Sequence, residues 1–501
     1  MPDIGQQTER SSVMADAINK LVSTPLRAAK WLRSRLVLSG DIDVSDRHVL
    51  IIGGNFGGLA AALALQNVCR VTVVDPRPDF EWTPHIHDIL SGLKLKDHLS
   101  FDRARLFQRL GHEFIQTSVE VLDPIGRRVT LGNDRELRYD ACIVACGGVQ
   151  RPNVVPGGQQ HTTGFRHADQ AELIEHQLTA LADKQKAVTV TIIGGGLSGV
   201  EAMGSLLRNK RFGGKLNLHI VDAQDLLPAF PDELTKDVRK QLKKKKVTFH
   251  TGPKCAVKRV SRSSVELLDG QVLQSDVTIW TAGIQRQGLI SQLCDEKNLQ
   301  LKAADDGIGL VVDNALNPVL DKPQYGYADA WRETLFFAGD CASIVDQKLD
   351  KQAYHALDMG EHAAENAIRY FKADKPNNFT NANKPVLIAL GDLEHYFAWN
   401  GLIAAGSVFE AMKESVFQVY MARYSLVLEL KDASLSTWRR STRALTRQLL
   451  PGMLPSGFWQ TVESLFPNPL VALPRAALRR FIFGQRIIHY ANPFTESADQ
   501  T

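Results

Sequence analysis

Apolar runs of the ~18–20 residues needed to cross a bilayer are missing from this 501-residue chain, which argues against a helical membrane span. The first residues also lack the basic, apolar and small-residue regions of a secretory signal. A soluble or surface-bound intracellular protein is therefore expected. Cysteine is sparse: six residues, at 69, 142, 146, 255, 294 and 341, with no C-x-x-C or C-x-x-x-x-C pair. Cys142 and Cys146 would share one face of a strand, but ~13 Å apart at ~3.3 Å per residue, too far to bridge. The usual redox dithiol is disfavoured, and buried thiols in a reducing compartment are expected. Histidine and cysteine nowhere converge at ligand spacing, so no metal is expected. An excess of one charge is lacking too: the net charge of +4 gives no global pull toward nucleic acid, and no such partner is expected.

The chain is long enough for two or three domains, and its 44% hydrophobic and 23% charged content is that of a globular protein. His48–Gly53 (HVLIIG) is a continuous apolar run of the kind found in buried parallel strands. A glycine-rich turn, a small-residue helix and a second strand, Val71–Asp75, complete a βαβ unit. The pattern recurs with strand Val188–Ile193, a second glycine turn, a helix and strand Leu216–Asp222. Two such units this far apart predict two dinucleotide-binding domains rather than a short repeat.

The chemistry of the turns is specific. A glycine-rich loop between strand and helix lets backbone approach a pyrophosphate at the positive helix N-terminus. The second loop, Gly194-Gly195-Gly196-Leu197-Ser198-Gly199, fits G-x-G-x-x-G completely, with Gly194, Gly196 and Gly199 at the glycine positions. Asp222 ends its second strand, where a carboxylate accepts hydrogen bonds from a ribose diol and repels a 2′-phosphate; NADH is expected over NADPH. The first loop, Gly53-Gly54-Asn55-Phe56-Gly57-Gly58, has Asn55 in the middle glycine's place, and Asp75 ends its strand. Asn tolerates a left-handed backbone best among side chains, so the loop is expected to survive.

Basic segments flank this body. Ala17–Gly40 carries Lys20, Arg27, Lys30, Arg33 and Arg35 with no acid, interleaved with Leu21, Leu26, Trp31, Leu32 and Leu36, and reads as a basic amphipathic helix. Pro376–Lys384 is polar and turn-rich, as a linker would be, and a strand is expected at Val386–Leu390. From Trp438 to Tyr490 the chain carries arginines 439, 440, 443, 447, 475, 479, 480 and 486 against the single acid Glu463. Leu449, Leu450, Phe458, Trp459, Phe466 and Phe481 are interleaved with them. That composition suits an anionic bilayer surface; a basic packing or dimerisation surface is the alternative, and a homodimer stays open. The lysine run Lys243–Lys246 reads as the solvated C-terminal end of a helix.

Several further segments match known patterns. Tyr139–Gly147 (YDACIVACG) is a strand ending like A-T-G, with Cys146 for threonine. Trp280-Thr281-Ala282-Gly283 is similar to W-x-A-G, and Phe336–Ala342 (FFAGDCA) carries G-D-C-A. Gly199-Val200-Glu201 repeats a G-V-E loop ending. Phe80–Gly92 (FEWTPHIHDILSG) and Ala353–Gly360 (AYHALDMG) complete the set. Through these motifs residues 47–400 resemble the two-dinucleotide-domain flavoprotein oxidoreductases. Within them the chain is similar to the type II NADH:quinone oxidoreductases and the related ferroptosis-suppressor and apoptosis-inducing-factor-like group.

The resemblance implies an α/β fold with two Rossmann-like dinucleotide-binding domains, for FAD and NAD, and a C-terminal amphipathic helical region. The expected organisation is a basic extension at 1–46, an FAD-binding domain at 47–160 resuming at 301–375, and an NAD(P)H-binding domain at 161–300. A C-terminal region with membrane-surface helices takes 376–501. FAD is expected on the first loop with Asp75, Ala145, Gly147, Gly339, Asp340 and Ala353, and NADH on the second loop with Asp222, Ala282 and Gly283. Glu201, His85 and Tyr354 are the implied catalytic residues. Their blander readings are a first-turn helix acid, a histidine satisfied in a polar loop, and helix packing. The segment at 353–360 lacks all three glutamines of the bacterial pattern, which leaves the acceptor open. The implied activity is non-proton-pumping transfer of electrons from NADH through flavin to a quinone, at the cytoplasmic face of an inner membrane or at the mitochondrial inner membrane. A soluble reductase of a small electron-transfer protein and a redox-sensing interaction protein are the alternatives.

Overall fold

The computed structural model describes residues 42–212, 214–321, 327–381, 384–399, 401–429 and 486–490. Its first sheet has five parallel strands in the order Leu335–Phe337, Ala141–Val144, His48–Ile52, Arg70–Val74 and Glu113–Ile115. The edge strand Leu335–Phe337 thus reaches the sheet from far downstream. The second sheet is also all parallel, ordered Thr163–Gly164, Val277–Trp280, Val188–Ile193, Leu216–Asp222 and Thr248–Thr251. Both central strands are apolar because helices cover both faces of a parallel sheet: Val49, Leu50, Ile51, Val190 and Ile192 are wholly buried. This is the expected α/β architecture with two Rossmann-like cores.

Helix Phe56–Ala64 (FGGLAAALA) rises from the first loop. Its small residues let helix Ala353–Phe371 approach so closely that a Cβ on Gly360 would lie 2.0 Å from the Gly57 carbonyl oxygen. A third, antiparallel sheet joins Val386–Ala389, His395–Trp399, Leu402–Ala405 and Arg486–Tyr490. From it runs the 22-residue helix Val408–Glu429. This unit is tied to the second Rossmann core. The Tyr396 hydroxyl donates to Asp237 Oδ2 (2.9 Å), and Arg208 bridges Asp392 (2.7 Å) and Glu410 (2.9 Å).

Some expectations need correction. Pro376–Lys384 is no free linker: Phe379 is buried and its N–H donates to Asn314 O, while the Asn377 N–H donates to Asn366 Oδ1. The strand holding Cys142 ends at Val144, so Cys146 lies beyond it and the two do not share a strand face. The basic segment Ala17–Gly40 and the arginines from 439 to 480 lie outside the described residues. Residues 486–490, inside the expected helical region, form a strand that completes the third sheet.

Buried histidines set a pH dependence. Burial, then the charge of Lys413, holds the His85 imidazole well below its ordinary value of 6.5, and burial lowers His112. An unfolded chain protonates these rings first. Their neutral burial therefore adds stability that is full above the unfolded value and is lost as pH falls from there through the folded value. The melting temperature is expected to drop between about pH 7 and pH 5, by up to ~1.4 kcal/mol of stability per pH unit for each such ring. A circular-dichroism melt that is flat or rising over that range would contradict it.

Candidate functional site

The first loop is a cradle. Gly53 takes φ +97°, and a Cβ on Gly58 would stand 1.8 Å from Gly53 O, so strand and helix meet there without room for a side chain. Asp75 Oδ2 accepts from the Gly54 N–H (2.7 Å), and Arg103 reaches Asp75 Oδ1. Asn55 is not left-handed as expected: its φ is −90°, because Gly53 supplies the positive φ of the turn. The Asn55 side chain instead grips the next segment, donating from Nδ2 to Glu81 O (3.2 Å) and accepting from the Glu81 N–H (3.1 Å). Phe56 and Gly57 open the helix behind the loop. Ala145 is pinned to the first strand by its N–H to Ile52 O, and Gly147 takes φ +67°.

The second loop repeats the design with fewer flaws. Gly194 has φ +118°, a Cβ on Gly199 would lie 1.9 Å from Gly194 O, and a Cβ on Gly196 would meet nothing within 4 Å. Open space above the middle glycine, at the N-terminus of the 12-residue helix Leu197–Arg208, is what a pyrophosphate requires. Asp222 accepts from the Gly195 N–H (2.6 Å) and the Gln224 N–H (2.7 Å), which fixes the carboxylate at the strand end. Ala282 O accepts from Trp280 Nε1 (2.7 Å), and Gly283 (φ +63°) follows in a turn over which Arg151 lies.

Gly339 (φ +78°) turns the chain out of the last strand of the first sheet, so that Asp340 meets Arg166 at 3.0 Å. The loops, the strand-end acids and Asp340 therefore suit two dinucleotides, FAD on the first loop and a nicotinamide nucleotide on the second. Arg103 adds an observation of its own: its Nε is buried without a hydrogen-bond partner.

From the second-loop helix runs a chain of charged groups that the expectations only partly foresaw. Glu201 is the fifth residue of the second-loop helix, past the first turn that the blander reading gave it. Its Oε1 accepts from Lys413 Nζ (2.5 Å) and from the Ala389 N–H (3.1 Å). Lys413 is only 9% exposed and also contacts His87 Nε2 at 2.9 Å. An ammonium group has no lone pair to offer, so Nε2 is the acceptor and the ring proton lies on Nδ1. His87 Nδ1 faces Ser205 Oγ (3.1 Å) and Asp88 Oδ1 (3.3 Å). Lys94 continues the chain, 3.6 Å from Asp88 Oδ2 and 2.7 Å from Oε2 of Glu414, which is open to solvent. Helix Val408–Glu429 thus carries Lys413 into the interior and leaves Glu414 at the rim.

His85 stands beside this chain rather than in it. It is buried, its Nδ1 accepts from Trp82 Nε1 (3.0 Å), and its Nε2 lies 3.9 Å from Glu414. Tyr354 packs its ring against Tyr420, with Lys384 Nζ 5.9 Å from its centre, and burial pushes its hydroxyl well above the ordinary range. Ala353 opens helix Ala353–Phe371 close by. Donor atoms of His85, Asp88 and Glu414 lie within 4.8 Å of one another. The Lys94 ammonium between two of these groups opposes a cation there. Lys413, Lys94 and Glu414 were missed; the available signal was a lysine on the apolar side of a helix that otherwise reads V-F-x-x-M-x-x-x-V-F.

Residues 47–360 match the pyridine nucleotide-disulphide oxidoreductase family. The type II NADH:quinone oxidoreductase of Haemophilus influenzae is 24% identical over 435 residues, covering 75% of this chain and 93% of that protein. Ferroptosis suppressor protein 1 of Taeniopygia guttata is 27% identical over 341 residues, 66% of this chain and 80% of the relative. Among solved structures, NDH2 of Plasmodium falciparum in complex with NADH superposes with a TM-score of 0.63 at 14% identity. That match covers 77% of this chain and 97% of that one.

Proposed function

We propose, from the premise that the chain belongs to the pyridine nucleotide-disulphide oxidoreductase family, that it passes electrons from NADH to a quinone at a membrane surface without pumping protons. It is an oxidoreductase with FAD and NADH as cofactors. When bound, FAD supplies the two-electron carrier between donor and acceptor. The protein supplies position and protons. Asp75, Asp340 and the first loop hold the flavin nucleotide, and Asp222 and the second loop hold the donor. Glu201, on the helix that follows the second loop, meets Lys413. A quinone that gains two electrons needs two protons, and the groups Glu414, Lys94, Asp88, His87 and Lys413 run from solvent to Glu201 in contacts of 3.6 Å or less, so that inward transfer proceeds with a change of His87 tautomer. This buried chain is the observation that carries the reading. Quinone as acceptor is supported by the relatives named for it.

The test is direct. Purified protein should be yellow, NADH should bleach it without oxygen, and a short-chain quinone should restore the colour. Bleached protein that every quinone leaves colourless would sink the acceptor. NADH should outperform NADPH. Asp222→Ala, which removes the ribose acceptor, should lower kcat/KM for NADH roughly 10–100-fold, the range for a charged hydrogen bond. An unchanged NADH-to-NADPH ratio in steady-state assays would count against this role.

Among the described residues no helix is long and apolar enough to cross a membrane. The surface assignment draws instead on the arginine-rich segment after Trp438 and on the turn following Gly92. That turn exposes Leu93 (50%) and Leu95 (64%) around Lys94, a member of the proton chain. Changing Arg439, Arg440, Arg443 and Arg447 to glutamate should release the protein from vesicles containing anionic lipid. Co-sedimentation equal to the parent protein's would argue for the basic packing surface instead.

A further inference from the structure

Helix Ala353–Phe371 begins beside Asp340, and its third residue has no role in the reading above. His355 is only 6% exposed. Its Nδ1 lies 2.8 Å from Asp350 O. A carbonyl can only accept, so Nδ1 carries a proton, and in the neutral tautomer that this selects, Nε2 presents a lone pair. That Nε2 is buried and has no hydrogen-bond partner. A buried acceptor left empty forfeits its hydration without replacement, so a polar group left in this state is expected to have an occupant.

The space beside it narrows the choice. Gly339, Asp340, Ala342, Lys351, His355 and Met359 line a cavity whose free space of about 10 Å³ suits one water-sized group. The cation on that wall is already engaged: Lys351 Nζ donates to Ala342 O (2.8 Å) and Ser343 Oγ (3.0 Å) and pairs with Asp306 (3.2 Å). A phosphate or carboxylate would therefore meet the Asp340 carboxylate, with Arg166 already paired to that carboxylate and Lys351 to Asp306. A ligand that donates hydrogen bonds fits best, to a carboxylate and to an imidazole nitrogen lining the same cavity. Adjacent hydroxyls on one chain do this, the first donating to Asp340 and the next to His355.

We propose that His355 Nε2 accepts a hydrogen bond from a hydroxyl of the ribityl chain of bound FAD, and so acts as a positioning residue for the flavin. This rests on the flavoprotein reading above. A hydroxyl donor could also be a trapped water with one hydrogen on each acceptor, and the experiment separates the two sources. Full-length protein is stripped of flavin, checked by circular dichroism, and titrated with FAD or with FAD analogues lacking one ribityl hydroxyl.

The expected result is that one deoxy analogue binds the parent protein about tenfold more weakly than FAD, the size of one hydrogen bond. His355→Leu should bind FAD about tenfold more weakly and no longer distinguish that analogue. His355→Gln, whose Oε1 reaches the place of Nε2, should recover most of the affinity. Equal FAD affinity in parent and His355→Leu overturns the proposal. So do losses from His355→Leu and the deoxy analogue that simply add, since they would assign the cavity to water. If His355→Leu does not fold, the analogues alone decide: a parent protein indifferent to every ribityl hydroxyl overturns it. A chain that takes up no flavin would defeat the reading beneath, whereas a flavin-loaded chain indifferent to His355 defeats this inference alone.

Discussion

Replacing Lys413 by methionine should lower turnover with NADH and quinone about a hundredfold while leaving the flavin bound, the lower end of what positioned proton transfer contributes. Methionine keeps most of the side chain's length and apolar contact, so the packing of helix Val408–Glu429 should survive. What it removes is the ammonium between Glu201 Oε1 and His87 Nε2. Two consequences follow. Glu201, with a side chain only 13% exposed, loses its counter-charge, and the proton chain is cut between His87 and Glu201. Because Lys413 touches neither loop, flavin content and the NADH dissociation constant should stay near those of the parent. Stopped-flow bleaching by NADH compared with reoxidation by quinone would locate the loss. Retained turnover would remove the lysine from the mechanism, and a colourless variant would make its role structural.

Gly360→Ala should be among the most damaging small substitutions in the first Rossmann core, costing about 3 kcal/mol and most of the bound flavin. The added methyl would meet the Gly57 carbonyl oxygen at 2.0 Å, and both partners are helix backbone that cannot rotate aside. Relief requires helix Ala353–Phe371 to withdraw from helix Phe56–Ala64, which carries the first loop away from Asp340. Gly288→Ala is the matching control: it opens a short helix and a Cβ there meets nothing within 4 Å, so little change is expected. Urea melts read beside flavin absorbance would test the pair. Parent-like stability in Gly360→Ala would mean that the two helices part without consequence.

Both results turn on features of unequal visibility in the sequence. The two glycine loops were legible because their signals are local: an apolar strand, glycines at fixed offsets and a terminal acid within one βαβ unit. Strands Val188–Ile193 and Leu216–Asp222 were read to the residue. Lys413 was not legible as Glu201's partner because the pair is 212 residues apart and only tertiary packing joins them. His85 and His87 looked equivalent in FEWTPHIHD; the difference arises because the Trp82 indole occupies one ring and Lys413 reaches the other. Asn55 was read by its tolerance for an unusual backbone, whereas its amide bonding to Glu81 is what the structure uses. Phe379 shows the same limit, since a polar, turn-rich stretch hides one anchoring aromatic.

The late strand Leu335–Phe337 has a consequence for the order in which the protein is made. The second sheet is continuous in sequence, from Thr163 to Thr251 and Val277–Trp280, so a growing chain can close it as soon as those residues leave the ribosome. The first sheet must wait with an open edge beside Ala141–Val144 until Leu335–Phe337 arrives, and Asp340 arrives only then. During that interval the first loop has its glycines but lacks Asp340. On the reading proposed above, a nascent chain can therefore hold its electron donor's nucleotide before it can hold its flavin, and reaches redox competence only once Asp340 has been synthesised.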